Sequence, residues 1–166
     1  MSGSLFNMAT IFEDFVTVAL REALKSYGGR TSLQHVTHLD DDADVPVRPD
    51  FVWLTQGHPR IVVDAKYKAE KPSGFPQADL YELLAYCTVL GLDEGHLVYA
   101  KGAEDERTHV VQQAGVWIIA HTLDLDASPS DLLVQVAALV RTICPASTAR
   151  PPLSSQRPSA SAASST

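Results

Sequence analysis

Asp50, Asp64 and Lys66 are the residues of this chain whose types and spacing point most directly to chemistry. They lie in the stretch VRPDFVWLTQGHPRIVVDAKYK, Val47 to Lys68, where a strand reading Ile-Val-Val runs into an acid and a lysine. A buried strand end is a costly place for charge. Side chains alternate along a strand, so Val62, Asp64, Lys66 and Lys68 share one face, and Ile61, Val63, Ala65 and Tyr67 the other. Asp64 and Lys66 are then about 7 Å apart along that face. The runs DFVWLT and RIVVDAKY flank Gln56-Gly57-His58-Pro59, which is a hairpin signal. Folding the chain about Gly57 sets Asp50 opposite Asp64 or within one residue of it. A one-residue slip would turn the side chain to the other face. In the first register, two carboxylates and a lysine meet at one edge of a sheet. Carboxylates that close repel each other, and a divalent cation relieves the repulsion. Mg²⁺ prefers one or two carboxylates together with water and phosphate oxygens. It lowers the pKa of its bound water and stabilises charge on a phosphate under attack. Lys66 could orient or deprotonate that water, or offset phosphate charge. From the hairpin alone, a strand emerging into solvent with an ion pair of small energetic weight explains the same residues.

The elements that must position these residues can be read on either side. Leu5, Met8, Phe12, Phe15, Ala19 and Ala23 recur at helical spacing and predict a helix from Leu5 to Tyr27, stopped by Gly28-Gly29. TSLQHVTHL, from Thr31, predicts a strand, and the acidic DDDADVP after it a loop. That run lacks the glycine and terminal glutamate of a calcium loop. His35 and His38 fall on opposite faces and make poor joint ligands. After the hairpin and a Pro/Gly loop (Lys71 to Pro76), QADLYELLAYCTVLGL predicts a second helix. Its apolar stripe is Leu80, Leu83, Leu84, Cys87 and Leu90, and Gly91 ends it. GHLVYA reads as a buried strand, and THVVQQ and GVWIIAHTLDL as further strands. SPSDLLVQVAALVRTIC predicts a third helix with Ser130 as its N-cap. The order helix, three strands, helix, strands, helix predicts an α/β fold with a mixed sheet flanked by helices.

The Pro49-Asp50 and Asp64-Ala65-Lys66 elements resemble the PD-(D/E)xK nuclease motif. The wider pattern of FEDFV, VRPDFV, VVDAKYK, ADLYELLAY and HLVYA resembles the nuclease domain of McrC, the cleavage subunit of the McrBC modified-cytosine restriction system. The resemblance covers roughly Leu5 to Ala100. It implies a restriction-endonuclease-like αβββαβ core and Mg²⁺-dependent hydrolysis of DNA phosphodiester bonds, with Mn²⁺ as a substitute cation. It also implies that Asp50 and Asp64 are metal ligands, that the Ala65 carbonyl joins them, and that Lys66 is the catalytic lysine. Glu13 matches the first-helix glutamate that many such nucleases hold near the metal. Tyr86 matches the tyrosine of a helical QxxxY motif, but Glu82 stands where that motif has glutamine. An ionised glutamate cannot donate a hydrogen bond, so Glu82 either pairs with Lys66 or Lys68 or adds negative charge near the metal. McrC proteins carry an N-terminal domain that engages the GTP-driven partner McrB, whereas only about ten residues precede FEDFV here. The expectation is a nuclease domain cut from such a protein, or one working without that docking domain.

Composition narrows the remaining choices. Thirteen basic and twenty acidic residues give a net charge of −7, which argues against holding nucleic acid by charge alone. Cys87 and Cys144 form neither a disulfide framework nor a CxxC zinc motif. No signal peptide and no apolar run of the ~18 residues of a membrane helix are visible. The cytoplasm is the expected location. The last 22 residues, from Pro145, are almost all Ser, Ala, Pro and Thr and carry no acid. They predict a disordered tail over 145–166 beyond a folded domain spanning 4–144. The expected activity is a metal-dependent endonuclease acting on DNA, with an McrB-like GTPase or another DNA-holding subunit as partner and with homo-oligomerisation left open. Two other readings stay open: a catalytically silent binding or assembly module of the same fold, and a nuclease of that fold acting on RNA or branched DNA.

Overall fold

The computed structural model describes residues 3–67, 77–100 and 107–144. The expected tail, Lys68 and the Lys71–Pro76 loop lie outside them. Helix α1 (Gly3–Leu24) is followed by strands β1 (Arg30–Leu33), β2 (Thr37–His38), β3 (Pro46–Val47), β4 (Phe51–Thr55) and β5 (His58–Lys66). Helix α2 (Gln77–Leu90), strands β6 (Glu94–Ala100), β7 (Arg107–Val110) and β8 (Trp117–Leu123), and helix α3 (Pro129–Ile143) complete it. The main sheet has the order β1-β4-β5-β6-β8-β7. It is antiparallel from β1 to β5, parallel from β5 through β6 to β8, and antiparallel again at β7. The mixed sheet and the αβββαβ order match the expected architecture.

Alternation along the strands sorts two cores onto the two faces. Phe51, Trp53, Ile61, Val63, Ala65 and Val98 pack against α1 and α3, while Val52, Leu54, Val62, Leu97, Tyr99 and Ile118 pack against α2. On α1 the buried stripe is Phe12, Val16, Ala19, Leu20 and Leu24, with Phe15 and Ala23 at its border. The expected stripe is therefore rotated: Val16 and Leu20 are fully buried, and Met8 is 39% exposed. A helix covering both a sheet and a second helix needs a wide apolar face, which a single row of three- and four-residue steps understates. The cap of α3 is Ser128 rather than the expected Ser130. Its Oγ accepts from Asp131 N at 3.2 Å, and Pro129 occupies the first helical turn, where a missing N–H costs nothing.

The helix stop at Gly28-Gly29 has a steric basis. Both residues have positive φ, 75° and 70°. A Cβ on Gly29 would lie 2.6 Å from the Leu54 carbonyl oxygen and 2.8 Å from Trp53 Nε1. The Trp53 indole in turn donates to the Gly28 carbonyl at 3.0 Å. Gly29→Ala combines a left-handed alanine with a clash against backbone, and should cost about 2–4 kcal/mol. A thermal melt checks this; an unchanged Tm would show that the β1–β4 edge yields freely.

The expected continuous strand from Thr31 breaks at Gln34, whose φ is 51°. The chain leaves the main sheet there and forms a separate arm of β2 and β3. At the tip of the arm Asp40 accepts from the amides of Asp44 and Val45 at 3.1 and 2.8 Å, closing the acidic loop as a turn.

Candidate active site

The β4–β5 hairpin settles the register. Its turn is the pair Gln56-Gly57, with φ of 51° and 78°, the left-handed conformation of a tight type I′ connection. Thr55 pairs with His58 and Leu54 with Pro59, but Trp53 pairs with Ile61. Arg60 is therefore the extra residue of a β-bulge, and it changes the outcome. Without it, a two-residue turn would set Asp50 opposite Val63. With it, Phe51 pairs with Val63, and Asp50 falls opposite Asp64 on the same face.

Where the ladder ends, the two side chains take over its hydrogen bonds. Asp50 N donates to Asp64 Oδ1 at 3.3 Å, and Ala65 N donates to Asp50 Oδ2 at 2.9 Å. The strand break upstream anchors the same point, since the Gln34 and His35 amides donate to the carbonyls of Asp50 and Pro49 at 2.9 and 3.0 Å. Helix α1 brings Glu13 to one side of this pair, where its Oε1 and Asp50 Oδ1 both accept from Gln34 Nε2. On the other side, Lys66 Nζ lies 2.7 Å from Asp64 Oδ2 and 2.7 Å from Glu82 Oε1 on α2. Tyr86, one turn along α2, donates to the Arg48 carbonyl at 3.5 Å. All six side chains singled out in the sequence (Glu13, Asp50, Asp64, Lys66, Glu82 and Tyr86) thus converge on one end of β5. Of the two roles open to Glu82, the structure shows the ion pair with Lys66.

Burial sets the electrostatics. Asp64 is 2% exposed. Loss of solvent, then the charge of Asp50, push its carboxyl up to about 8 against the pull of Lys66. Burial raises Asp50 too, with Glu13 adding to it and hydrogen bonds from Asp64 and Ala65 opposing it. Glu13 is raised chiefly by burial. For Lys66, burial alone would lower the pKa, but Asp64 and Glu82 outweigh it and hold the ammonium charged. Burial would raise Glu82, and its bond to Lys66 reverses that shift. The Asp64–Lys66 contact is lopsided: the lysine gains from it, while the aspartate still loses more to burial and to Asp50. Asp64 Oδ2 has the ammonium beside it yet accepts no well-directed hydrogen bond, so one buried carboxylate oxygen has charge nearby and no fixed donor.

The donors at this point are hard oxygens, the set that Mg²⁺ and Mn²⁺ take, and the orphaned Asp64 Oδ2 is of the same kind. As the side chains stand, no three or more His, Cys, Asp or Glu among the described residues close on a common point that could hold a metal ion. Hydrogen bonds from Gln34 and Ala65 engage both oxygens of Asp50. The fit is therefore one of donor chemistry.

A model of the McrBC 5-methylcytosine restriction system component matches residues 1–100. The chain belongs to that family. Among solved structures it is similar to a chain of the Thermococcus gammatolerans assembly of McrB AAA+ hexamers with bound McrC, with TM-score 0.63 and 16% identity. The match covers 82% of this chain and 33% of that one, so this chain spans about a third of its relative's length. A crystal structure of a protein of unknown function matches at TM-score 0.43 and 11% identity, over 76% of this chain and 66% of that one. No curated protein matches. The family match thus covers α1 through β6, and the fold is shared with the matching chain of the McrB–McrC assembly. Among its described residues no helix is long and apolar enough to cross a membrane.

Sequence reasoning missed two residues of this site. The strand predicted from Thr31 runs through Gln34, because a left-handed glutamine has no signature in residue type. Tyr99, beside Lys66 on β6, donates to the buried Asp79 of α2 at 2.8 Å and ties the first turn of α2 to the sheet.

The raised Asp64 gives a stability prediction. A carboxyl whose folded pKa lies above its unfolded value stabilises the fold while protonated. That contribution is lost as pH rises from about 4 to about 8. Asparagine keeps the shape of the neutral acid. Asp64→Asn should therefore raise the Tm of metal-free protein at pH 8 to 9 by about 5 °C, or roughly 1–2 kcal/mol, and change it little at pH 5. Melts at both pH values test this. A lower Tm at pH 9 would show that the Lys66 contact outweighs burial and repulsion.

Proposed function

We propose that this chain is a Mg²⁺-dependent endodeoxyribonuclease domain, the cleavage part of an McrBC-type restriction system, working in the cytoplasm with an McrB-like GTPase that holds the DNA. The observation that carries this reading is the placement of Asp50 directly across from Asp64, with Lys66 beside it and Glu13 behind. In the proposal Asp50, Asp64 and the Ala65 carbonyl hold the cation, and Glu13 serves it from α1. When bound, the cation would lower the pKa of a water and stabilise charge on the phosphate.

The protein's own residues do the rest. Lys66, kept protonated by Asp64 and Glu82, orients the attacking water or the phosphate as a donor. Its raised pKa argues against service as a general base in this state. Tyr86 and Glu82 hold the lysine side of the site against α2. Burial of Asp64 keeps bulk water from competing for its oxygens.

Cleavage of duplex DNA by the full chain together with an McrB-like partner and GTP, with Mg²⁺ and in EDTA, tests the proposal. Turnover that persists in EDTA, or appears on RNA but not DNA, would overturn it. Glu82→Gln probes the lysine side. A glutamine can still accept from Lys66 but supplies no charge, so kcat should fall about three- to tenfold, on the scale of 1 kcal/mol, with KM for DNA unchanged. A rise in kcat would show instead that Glu82 restrains the lysine.

A further inference from the structure

We infer that Gln34 is a positioning residue that yokes the first-helix glutamate to the strand aspartate and so sets the spacing of the metal-binding carboxylates. Glu13 comes from α1, packed on one face of the sheet, while Asp50 and Asp64 face α2 on the other. Something must bridge the sheet edge to bring Glu13 beside the aspartate pair. Gln34 stands at that edge. Its backbone N–H donates to the Asp50 carbonyl at 2.9 Å. Its side-chain amide donates to Glu13 Oε1 and, at 3.1 Å, to Asp50 Oδ1. One neutral NH₂ group thus holds two like-charged carboxylates side by side, a task neither a carboxylate nor a lysine could perform without changing the charge of the site. Its φ of 51° is what aims the side chain back across the edge. An extended residue would continue β1 and point elsewhere.

This role rests on the metal-site reading above, and the experiment separates the two. Alanine is a poor probe, because it is strained at this φ. Asparagine tolerates the left-handed conformation, but its amide ends about 1.5 Å short and cannot reach both carboxylates. Glycine removes the side chain without strain. Mn²⁺ alone is titrated into the full-length chain by electron paramagnetic resonance, for wild type, Gln34→Asn, Gln34→Gly, Glu13→Ala and the double variant Gln34→Asn/Glu13→Ala. The expected result is about a tenfold or greater loss of Mn²⁺ affinity in Gln34→Asn and Gln34→Gly, the scale for residues that orient ligands. The Tm of Gln34→Asn should stay near wild type without metal, and the double variant should bind no more weakly than Glu13→Ala alone. A merely structural glutamine would do the reverse, lowering Tm and leaving affinity unchanged. Wild-type Mn²⁺ binding that Gln34→Asn and Gln34→Gly share, or losses that multiply in the double variant, would overturn the role of Gln34 and leave the metal site standing. No Mn²⁺ binding by the wild type would overturn both.

Discussion

Asp64→Ala and Lys66→Ala should each lower Mg²⁺-dependent cleavage by about a thousandfold or more, the scale on which single transition-state-stabilising groups act, while the protein stays folded. Asp64 is where the two halves of the site join. One oxygen accepts from the Asp50 amide and the other faces Lys66, so its loss disconnects the aspartate pair from the lysine. The variant should still fold, because the carboxyl it removes is buried at a cost to stability at neutral pH. Lys66→Ala differs. It leaves Asp64 and Glu82 without their shared cation, so it should lower Tm as well as activity. Lys66→Met is the control for shape: it fills the same space without charge and should be equally inactive. Circular dichroism confirms folding, and cleavage is compared at equal protein and Mg²⁺. Wild-type turnover in either Asp64→Ala or Lys66→Ala would remove that residue from the proposed machinery.

How much of this could be read from the residues differs across the site. Strand alternation in β5 is legible because Ile61-Val62-Val63 and Asp64-Ala65-Lys66 differ so sharply, and the two faces come out as the period of two demands. The pairing of Asp50 with Asp64 was legible only to within one residue. The bulge at Arg60 decides it, and nothing in the identity of an exposed arginine announces an extra residue. Gln34 was hidden for a related reason. TSLQHVTHL has the composition of a strand, and the break lies in backbone conformation that tertiary contacts impose on a residue with no preference for it. The α1 stripe was misjudged by a fraction of a turn because α3, more than a hundred residues away, covers part of that helix. Local pattern fixes which face of an element is apolar. Long-range packing decides how wide that face is and which polar residue reaches across an edge.

The isolated chain should bind duplex DNA weakly, with efficient cutting only when a second subunit holds the substrate. Affinity for DNA grows with the number of phosphates neutralised. The 20 acids all precede Pro145, against 11 of the 13 basic residues, which leaves −9 over that part of the chain. The structure sharpens the point at the site. Glu13, Asp50, Asp64 and Glu82 are grouped near the end of β5, and Lys66 is already engaged by two of them. The acidic turn of the β2–β3 arm hangs from the same strand break. A cation among the carboxylates offsets charge only locally, within the screening distance of about 8–10 Å at physiological salt. A phosphate approaching the end of β5 therefore meets these carboxylates, with Lys66 already paired. Fluorescence anisotropy on unmodified and methylated duplexes, with Ca²⁺ to permit binding while blocking cleavage, should give a dissociation constant no tighter than about 10⁻⁵ M near physiological salt, within the non-specific range. Methylation should make no difference. The same measurement with an McrB-like partner added should tighten binding by at least about a hundredfold. Tight, methylation-selective binding by the chain alone would show that it reads DNA itself, and the partner requirement would fall even with the nuclease activity intact.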